Sequence, residues 1–270
     1  IASFEHALKL KPSTAKICFN LGICYMLKGS LNDAIKYYRE AIAIDPGFVD
    51  AHHNMGVTFQ HQGELDKALG SFKKALDLSP YTTRSRVYFE QARHLQAASN
   101  GNKTSSAPQA YVENLFDKYA GAFEEILVKE LKYCAPKMIV DVIKSDLPNG
   151  SLGSVLDLGC GTGLVGMQFD NLCSSILGID VSKAMLDQAR RKNVYHKLIQ
   201  VDLRKYLSTE KLDFDYFVAS DVFIYVGELS ELFQLIKFRN QRSGKLVFST
   251  EHTEKDGFFL EKSGRYTHSR

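Results

Sequence analysis

Tryptophan is absent from this 270-residue chain, proline occurs six times, and no apolar run approaches the length needed to cross a bilayer. A membrane-spanning role is thereby excluded, and no secretory signal is visible, so a cytoplasmic location is expected. Cysteine is scarce and odd in number: Cys18, Cys24, Cys134, Cys160 and Cys173 have neither zinc nor redox spacing. They read as free thiols of a reducing compartment, with no metal centre. Charge of one sign is missing too. The net charge is +3, with 13 basic against 9 acidic residues over 1–108 and 21 against 22 beyond. No basic face with interleaved aromatics appears, and Arg190-Arg191-Lys192 suits a helix C-terminus, so nucleic acid is excluded as a partner.

The most informative stretch is Val155-Leu156-Asp157-Leu158-Gly159-Cys160-Gly161-Thr162-Gly163. An apolar run ending in glycines reads as a buried parallel strand turning into a helix, where backbone N–H groups can approach a ligand. The spacing Gly161-x-Gly163-x-x-Gly166 also satisfies a dinucleotide fingerprint, so a nicotinamide oxidoreductase is one reading. Asp157 argues against it. A carboxylate aimed into the cradle repels a pyrophosphate but attracts the ammonium and sulfonium of S-adenosylmethionine, which carries no phosphate.

Three further strands end in polar residues. Ser175–Asp180 closes on Asp180, suited to ribose hydroxyls; Lys197–Val201 leads into Asp202 and Leu203, an acceptor for an adenine amino group and a cover for its ring. Phe214–Ala219 opens into Ser220 and Asp221. Ligands of open α/β sheets bind outside the carboxyl ends of the strands, so these acids form one site. The bland alternative for Asp180 is the N-cap of a helix over Ser182–Arg191.

The first 98 residues repeat with a period of 34, from Pro46 to Pro80. Leu21-Gly22, Tyr25, Gly29, Ala34, Tyr38, Ala41 and Pro46 align with Met55-Gly56, Phe59, Gly63, Ala68, Phe72, Ala75 and Pro80. Small residues let two helices approach, aromatics fill between them, and proline ends the second helix. This is the tetratricopeptide pattern, with Cys18 and His52 at its usual tryptophan-like position. Two full repeats, 13–46 and 47–80, follow a partial one carrying Phe4, Ala7 and Pro12, and Tyr81–Ala98 is the capping helix. Lys16, Asn20, Asn54 and Arg84 fall on the stripe that faces the concave groove in such domains, which implies a peptide-binding surface; a purely structural stack is the alternative.

Residues 99–109 (SNGNKTSSAPQ) read as a linker. Beyond it, helices over Tyr111–Lys118, Phe123–Leu131 and Pro136–Ile143, before Pro148 and Gly150, form a helical lid over 110–148 whose Phe116 and Tyr119 offer an aromatic wall for a cofactor.

The segments YVENLFDKYAGAFEEILVKELKY, VLDLGCGTGLVG, IDVSKAMLDQAR, LIQVDL, FDYFVASDVFIYVGEL, GKLVFSTE and SGRYTHS resemble class I methyltransferases that carry an N-terminal tetratricopeptide segment. The resemblance spans nearly the whole chain. It implies an all-α solenoid followed by a Rossmann-like α/β domain over 110–270, binding S-adenosylmethionine through Asp157, Gly159, Cys160, Gly161, Thr162, Gly163, Asp180, Met185, Asp202, Leu203 and Ser220. A full fold of this class continues past the fifth strand, Lys245–Thr250, with a helix and an antiparallel hairpin. The chain is therefore expected to be truncated there, with Leu246, Val247 and Phe248 on an unpaired edge.

Methyl transfer needs alignment, exclusion of water and, for some acceptors, a base. Asp221 and Tyr225 are the candidates beside the fourth strand; from SGRYTHS, His268 offers a base and Arg265 a hold on an acidic substrate. The Asn/Asp-Pro-Pro-aromatic signature of amino-directed DNA and glutamine methyltransferases is replaced by Ser220-Asp221-Val222-Phe223, and no Pro-Cys nucleophile is present. A small-molecule or protein acceptor remains. The competing readings are a non-catalytic interaction protein with a vestigial pocket and the oxidoreductase.

Overall fold

The structure, a computed structural model, describes residues 1–11, 13–130, 132–146, 152–169 and 172–270. Pro12, Leu131, Pro148 and Gly150, used above as boundary signals, lie outside the described residues. Two compact units appear, Ile1–Asn100 and Gly101–Arg270.

The first unit is a run of six helices: α1 (Ala2–Leu10), α2 (Ala15–Leu27), α3 (Leu31–Ile44), α4 (Val49–His61), α5 (Leu65–Leu78) and α6 (Thr83–Ser99). The chain turns sharply after α2 and α4 at Gly29 and Gly63, whose φ values of +81° and +77° suit glycine. Within each helix pair a second glycine meets an aromatic. A Cβ on Gly22 would fall 2.4 Å from the Tyr38 ring, and one on Gly56 would fall 2.6 Å from the Phe72 ring. Both rings are fully buried, so each glycine is a notch into which its partner's aromatic fits. At the tryptophan-like position Cys18 is buried against Ala41 and Ala51, while the His52 ring reaches the Pro46 carbonyl at 3.1 Å.

The second unit is α/β. Strands β1 (Ser154–Leu158), β2 (Ser175–Asp180), β3 (Lys197–Gln200), β4 (Tyr216–Ala219) and β5 (Lys245–Phe248) form one sheet in the order β3-β2-β1-β4-β5, with parallel pairing throughout. Its helices are α7 (Gln109–Tyr119), α8 (Ala135–Asp146), α9 (Leu164–Gln168), α10 (Lys183–Lys192), α11 (Leu203–Thr209) and α12 (Ser230–Arg239). Alternation along β1 divides the core. Leu156 and Leu158 pack with Leu207, Leu232 and Ile236 of α11 and α12, whereas Val155 packs with Ile139, Ile143 and Val165 of α8 and α9. The strand order reverses between β1 and β4, which opens a crevice above their carboxyl ends.

Two expectations change here. The stretch 99–109 is not a free tether: Ser99 ends α6, the Ala107 amide donates to the Tyr225 carbonyl, and the Ser105 carbonyl accepts from Gly227 and Glu228. These bonds use its backbone groups, so side-chain composition does not announce them. The second lid helix is a π-helical segment, Glu125–Glu130. Past β5 the chain builds a separate small sheet from β6 (Glu251–His252), β7 (Phe258–Leu260) and β8 (Tyr266–His268), in the order β6-β8-β7. Leu246, Val247 and Phe248 pair with Phe217, Val218 and Ala219 of β4; among the described residues no strand pairs with the other edge of β5.

Candidate functional site

A cavity of about 360 Å³ lies at the crevice. It takes Gly159 and Gly161 from the loop after β1, Asp180 from the end of β2, Asp202 and Leu203 from beyond β3, and Ser220 and Asp221 from just past β4. Phe116, Phe123, Leu127, Tyr133 and Tyr225 make its aromatic and apolar wall, and Arg265 also lines it. Phe116 stands edge-on to both Phe123 and Tyr225, with centroids 6.0 and 5.5 Å away. Ala107 and Gln109, from the stretch read as a linker, line the cavity as well.

Asp180 is the centre of its polar half. The carboxylate accepts from the Gly161 amide at 2.9 Å and the Ser182 amide at 2.8 Å. Ser182, rather than Asp180, caps α10: its hydroxyl accepts from the Met185 amide and donates to Asp117 of α7. Burial pushes the Asp180 carboxyl up to about 6, against the pull of those backbone donors. Asp202 caps α11 by accepting from the Lys205 amide at 3.0 Å, and still faces the cavity.

Asp221 sits in a left-handed conformation, φ +55°, and its Oδ1 accepts from the Ser249 hydroxyl at 2.7 Å, while its own amide donates back to that oxygen. Tyr133, which the sequence reading passed over, bonds the Ser220 hydroxyl at 2.8 Å. Its phenol is held well above its ordinary range by burial. Burial likewise pushes Tyr225 up to about 12, so it stays a neutral phenol. Arg265 pairs with Glu251 at 2.9 Å.

Several expected residues lie elsewhere. Asp157 is fully buried and lines no part of the cavity; its Oδ2 accepts from the Tyr195 hydroxyl at 2.7 Å. The alternation that sends Leu156 and Leu158 to one face sends Asp157 to the other, beneath α9 rather than into the crevice. Oδ1 has no partner among the described residues, and burial pushes the carboxyl up to about 7. Cys160, Thr162 and Met185 are buried and outside the cavity lining, and Gly163 faces Tyr195 and Ala189. Tyr119 is half exposed and outside it.

His268 does not reach the cavity either. Its Nε2 meets the Val226 and Gly227 carbonyls at 2.9 and 3.1 Å, and Nδ1 meets the Thr250 hydroxyl at 2.7 Å. Two carbonyls can only accept, so Nε2 carries the proton, and both nitrogens are committed to holding β8 in place. In the helical unit Lys16 and Arg84 are exposed and Asn20 half-buried, but Asn54 is buried against the Tyr38 hydroxyl and ties α4 to α3.

Residues 155–238 match the methyltransferase-domain family model, and residues 15–48 and 49–81 match the tetratricopeptide repeat model. Among solved structures, the magnesium protoporphyrin IX methyltransferase of Synechocystis PCC 6803 with bound SAM is similar at 16% identity, over 62% of this chain and 83% of that one, TM-score 0.47. A SAM-dependent methyltransferase of Leishmania major is similar at 18% identity over 60% and 69%, TM-score 0.48. The second TPR domain of human RPAP3, in complex with an HSP70 peptide, is similar at 19% over 33% and 75%, TM-score 0.33. A search of the curated proteins returns no match. The chain thus carries two tetratricopeptide repeats followed by a methyltransferase domain of parallel α/β architecture.

Proposed function

We propose that the α/β unit is an S-adenosylmethionine-dependent methyltransferase acting on a small-molecule or protein acceptor, and that the helical unit presents a groove to a protein or peptide. The observation that supports it is one cavity at the sheet's switch point with acids at its cofactor end and aromatics at the other. The residues present fit the cofactor. The Asp180 oxygens accept from the Gly161 and Ser182 amides, with the Val181 amide also beside the carboxylate, and an ionised carboxylate offers about four acceptor positions, so capacity remains for a ribose hydroxyl. Gly161 has open space where a Cβ would stand, as a loop facing a ligand requires. Asp202 and Leu203 would receive the adenine.

Bound there, S-adenosylmethionine supplies a methyl carbon made electrophilic by its sulfonium. The protein's part is alignment and the exclusion of water. Phe116 and Tyr225 shield the acceptor end. Asp221, held by Ser249, is placed to orient an acceptor N–H or O–H and to take its proton, whereas the neutral Tyr225 serves as a donor. Arg265 offers the cavity a cation for an anionic acceptor. Calorimetry with S-adenosylhomocysteine and with NAD tests the reading: the sulfur ligand should bind and NAD should not. Failure of the sulfur ligand to bind ends it. Radiolabelled cofactor incubated with cell extract then tells whether the acceptor is a protein or a small molecule.

A further inference from the structure

We propose that Tyr195 is the positioning residue of the glycine loop, and that Asp157 serves the ligand site through Tyr195 rather than by touching a ligand. The ligand side of the proposal rests on the S-adenosylmethionine reading; the loop side rests on packing and hydrogen bonds alone.

Three glycines give way to this one ring. A Cβ would fall 3.0 Å from the Tyr195 ring at Gly163, 2.5 Å at Gly166 and 2.9 Å at Gly178, where Leu198 and the Cys160 sulfur would also stand 2.8 and 2.9 Å away. Gly178 lies beside Asp157 in the register of β1 with β2, so removal of its side chain leaves a slot next to the buried carboxylate. Tyr195 shares that slot with Leu198 and Cys160, entering it from the segment before β3, which is itself held by the His196 amide on the Ile176 carbonyl. Its hydroxyl then does two things: it donates to Asp157 at 2.7 Å and accepts from the Gly166 amide at 3.1 Å.

The dinucleotide-like spacing thus divides by purpose. Gly161 alone of its three glycines lines the cavity, whereas Gly163 and Gly166 admit the tyrosine. A Gly166 amide bound to Tyr195 anchors α9, and α9 sets where the loop Gly159–Gly163 stands. Asp157 holds the other side of the same hydroxyl. The remaining titratable groups near Asp157 are Asp180 at the end of β2, Cys160 in the loop and Tyr133, and none of these supplies it a cation.

A double-mutant cycle on the full chain tests the proposal, using Tyr195→Phe, Asp157→Asn and both together. Affinity for S-adenosylhomocysteine is read by calorimetry, and amide hydrogen exchange over residues 159–168 is read in the ligand-free protein. Tyr195→Phe keeps the ring but strands the buried carboxylate, so affinity should fall about tenfold and loop exchange should quicken to a similar degree. Asp157→Asn should cost less, because its amide oxygen still accepts from Tyr195. The double variant should do no worse than Tyr195→Phe alone. Losses that multiply, or a Tyr195→Phe protein with unchanged affinity and exchange, overturn the proposal. Exchange across β1 and β4 in each variant confirms that the sheet has folded. If the wild-type chain binds no S-adenosylhomocysteine, the methyltransferase reading fails, and the exchange cycle alone decides the role of Tyr195.

Discussion

Both units solve the same packing problem, a large aromatic seated against a backbone, by the same means, yet in one the solution is repeated and in the other it occurs once. In the helical unit Gly22 admits Tyr38 and Gly56 admits Phe72, sixteen residues apart in each case (38 − 22 and 72 − 56). In the α/β unit Gly163, Gly166 and Gly178 admit the single ring of Tyr195 from three different elements. The repeat spreads its core over equivalent helix pairs, each of modest consequence. The α/β unit concentrates loop, helix and strand on one side chain and one buried acid. Local redundancy against a shared keystone is the difference between the two, and it predicts different responses to perturbation.

The largest expected contrast is in pH dependence. Burial lowers His53, whose ring lies between Phe72 and Tyr88 and bonds Ser85, to about 4. Its unfolded form, with an ordinary value of about 6.5, binds more protons between those values, so the helical unit gains stability as pH rises through that window. Asp157 and Asp180 are raised to about 7 and about 6. Their native forms hold more protons than the unfolded ones, whose ordinary value is about 4, so the α/β unit loses stability as pH rises through the overlapping window. Amide exchange followed separately in each unit should show opposite slopes between about pH 4 and 6.5. Asp157→Asn should flatten the falling slope and His53→Gln the rising one; parallel slopes would remove the contrast.

Steric tests come next. Gly166→Ala sets a methyl group against a ring fixed on both sides of its hydroxyl, and should destabilise the α/β unit by about 3 kcal/mol in denaturant unfolding. Gly22→Ala sets a methyl group against the Tyr38 ring, whose hydroxyl meets Asn54 and the soft sulfur of Met26 at 3.9 Å and which fills a single glycine notch rather than three. Its cost should be smaller, about 1–2 kcal/mol, and confined to the helical unit. Equal costs would deny that concentration on one side chain matters. The smallest effect belongs to Gly29→Ala and Gly63→Ala. Both have positive φ and nothing within 4 Å of a Cβ, so each should cost about 1 kcal/mol of backbone strain and the two should match. A mismatch would show that the two repeats are not energetically equivalent.

Much of this was legible because it is local or repeated. The 34-residue period carries over to the helices: α4 starts 34 residues after α2, and α5 starts 34 after α3 (49 − 15 and 65 − 31). Strands β2, β3 and β4 are apolar runs that end in or run on into polar residues, and Asp180, Asp202, Ser220 and Asp221 line one cavity. The direction of Asp157 was available in principle, since alternation with Leu156 and Leu158 opposes it to them; charge alone suggested the crevice. Gly178, an isolated glycine inside a strand, was the one local sign of a close neighbour, but nothing local names that neighbour as Tyr195. Residues 104–109 and His268 were misjudged for a related reason. Polar composition and a near-neutral reference pKa describe a residue in water, whereas the backbone of Ser105 and Ala107 bonds a segment more than a hundred positions away and the His268 ring bonds carbonyls about forty positions away.

The amino-acid sequence by itself determined the two-part architecture, the repeat and the polar strand ends, because hydrophobic period, glycine notches and strand-closing acids act over a few residues or recur at fixed spacing. Only the tertiary structure decided which of those acids faces the cavity and which is sealed behind the glycine loop. That choice depends on register between β1 and β2 and on a tyrosine arriving from a distant segment, and a buried carboxylate takes whatever donor the completed fold brings to it.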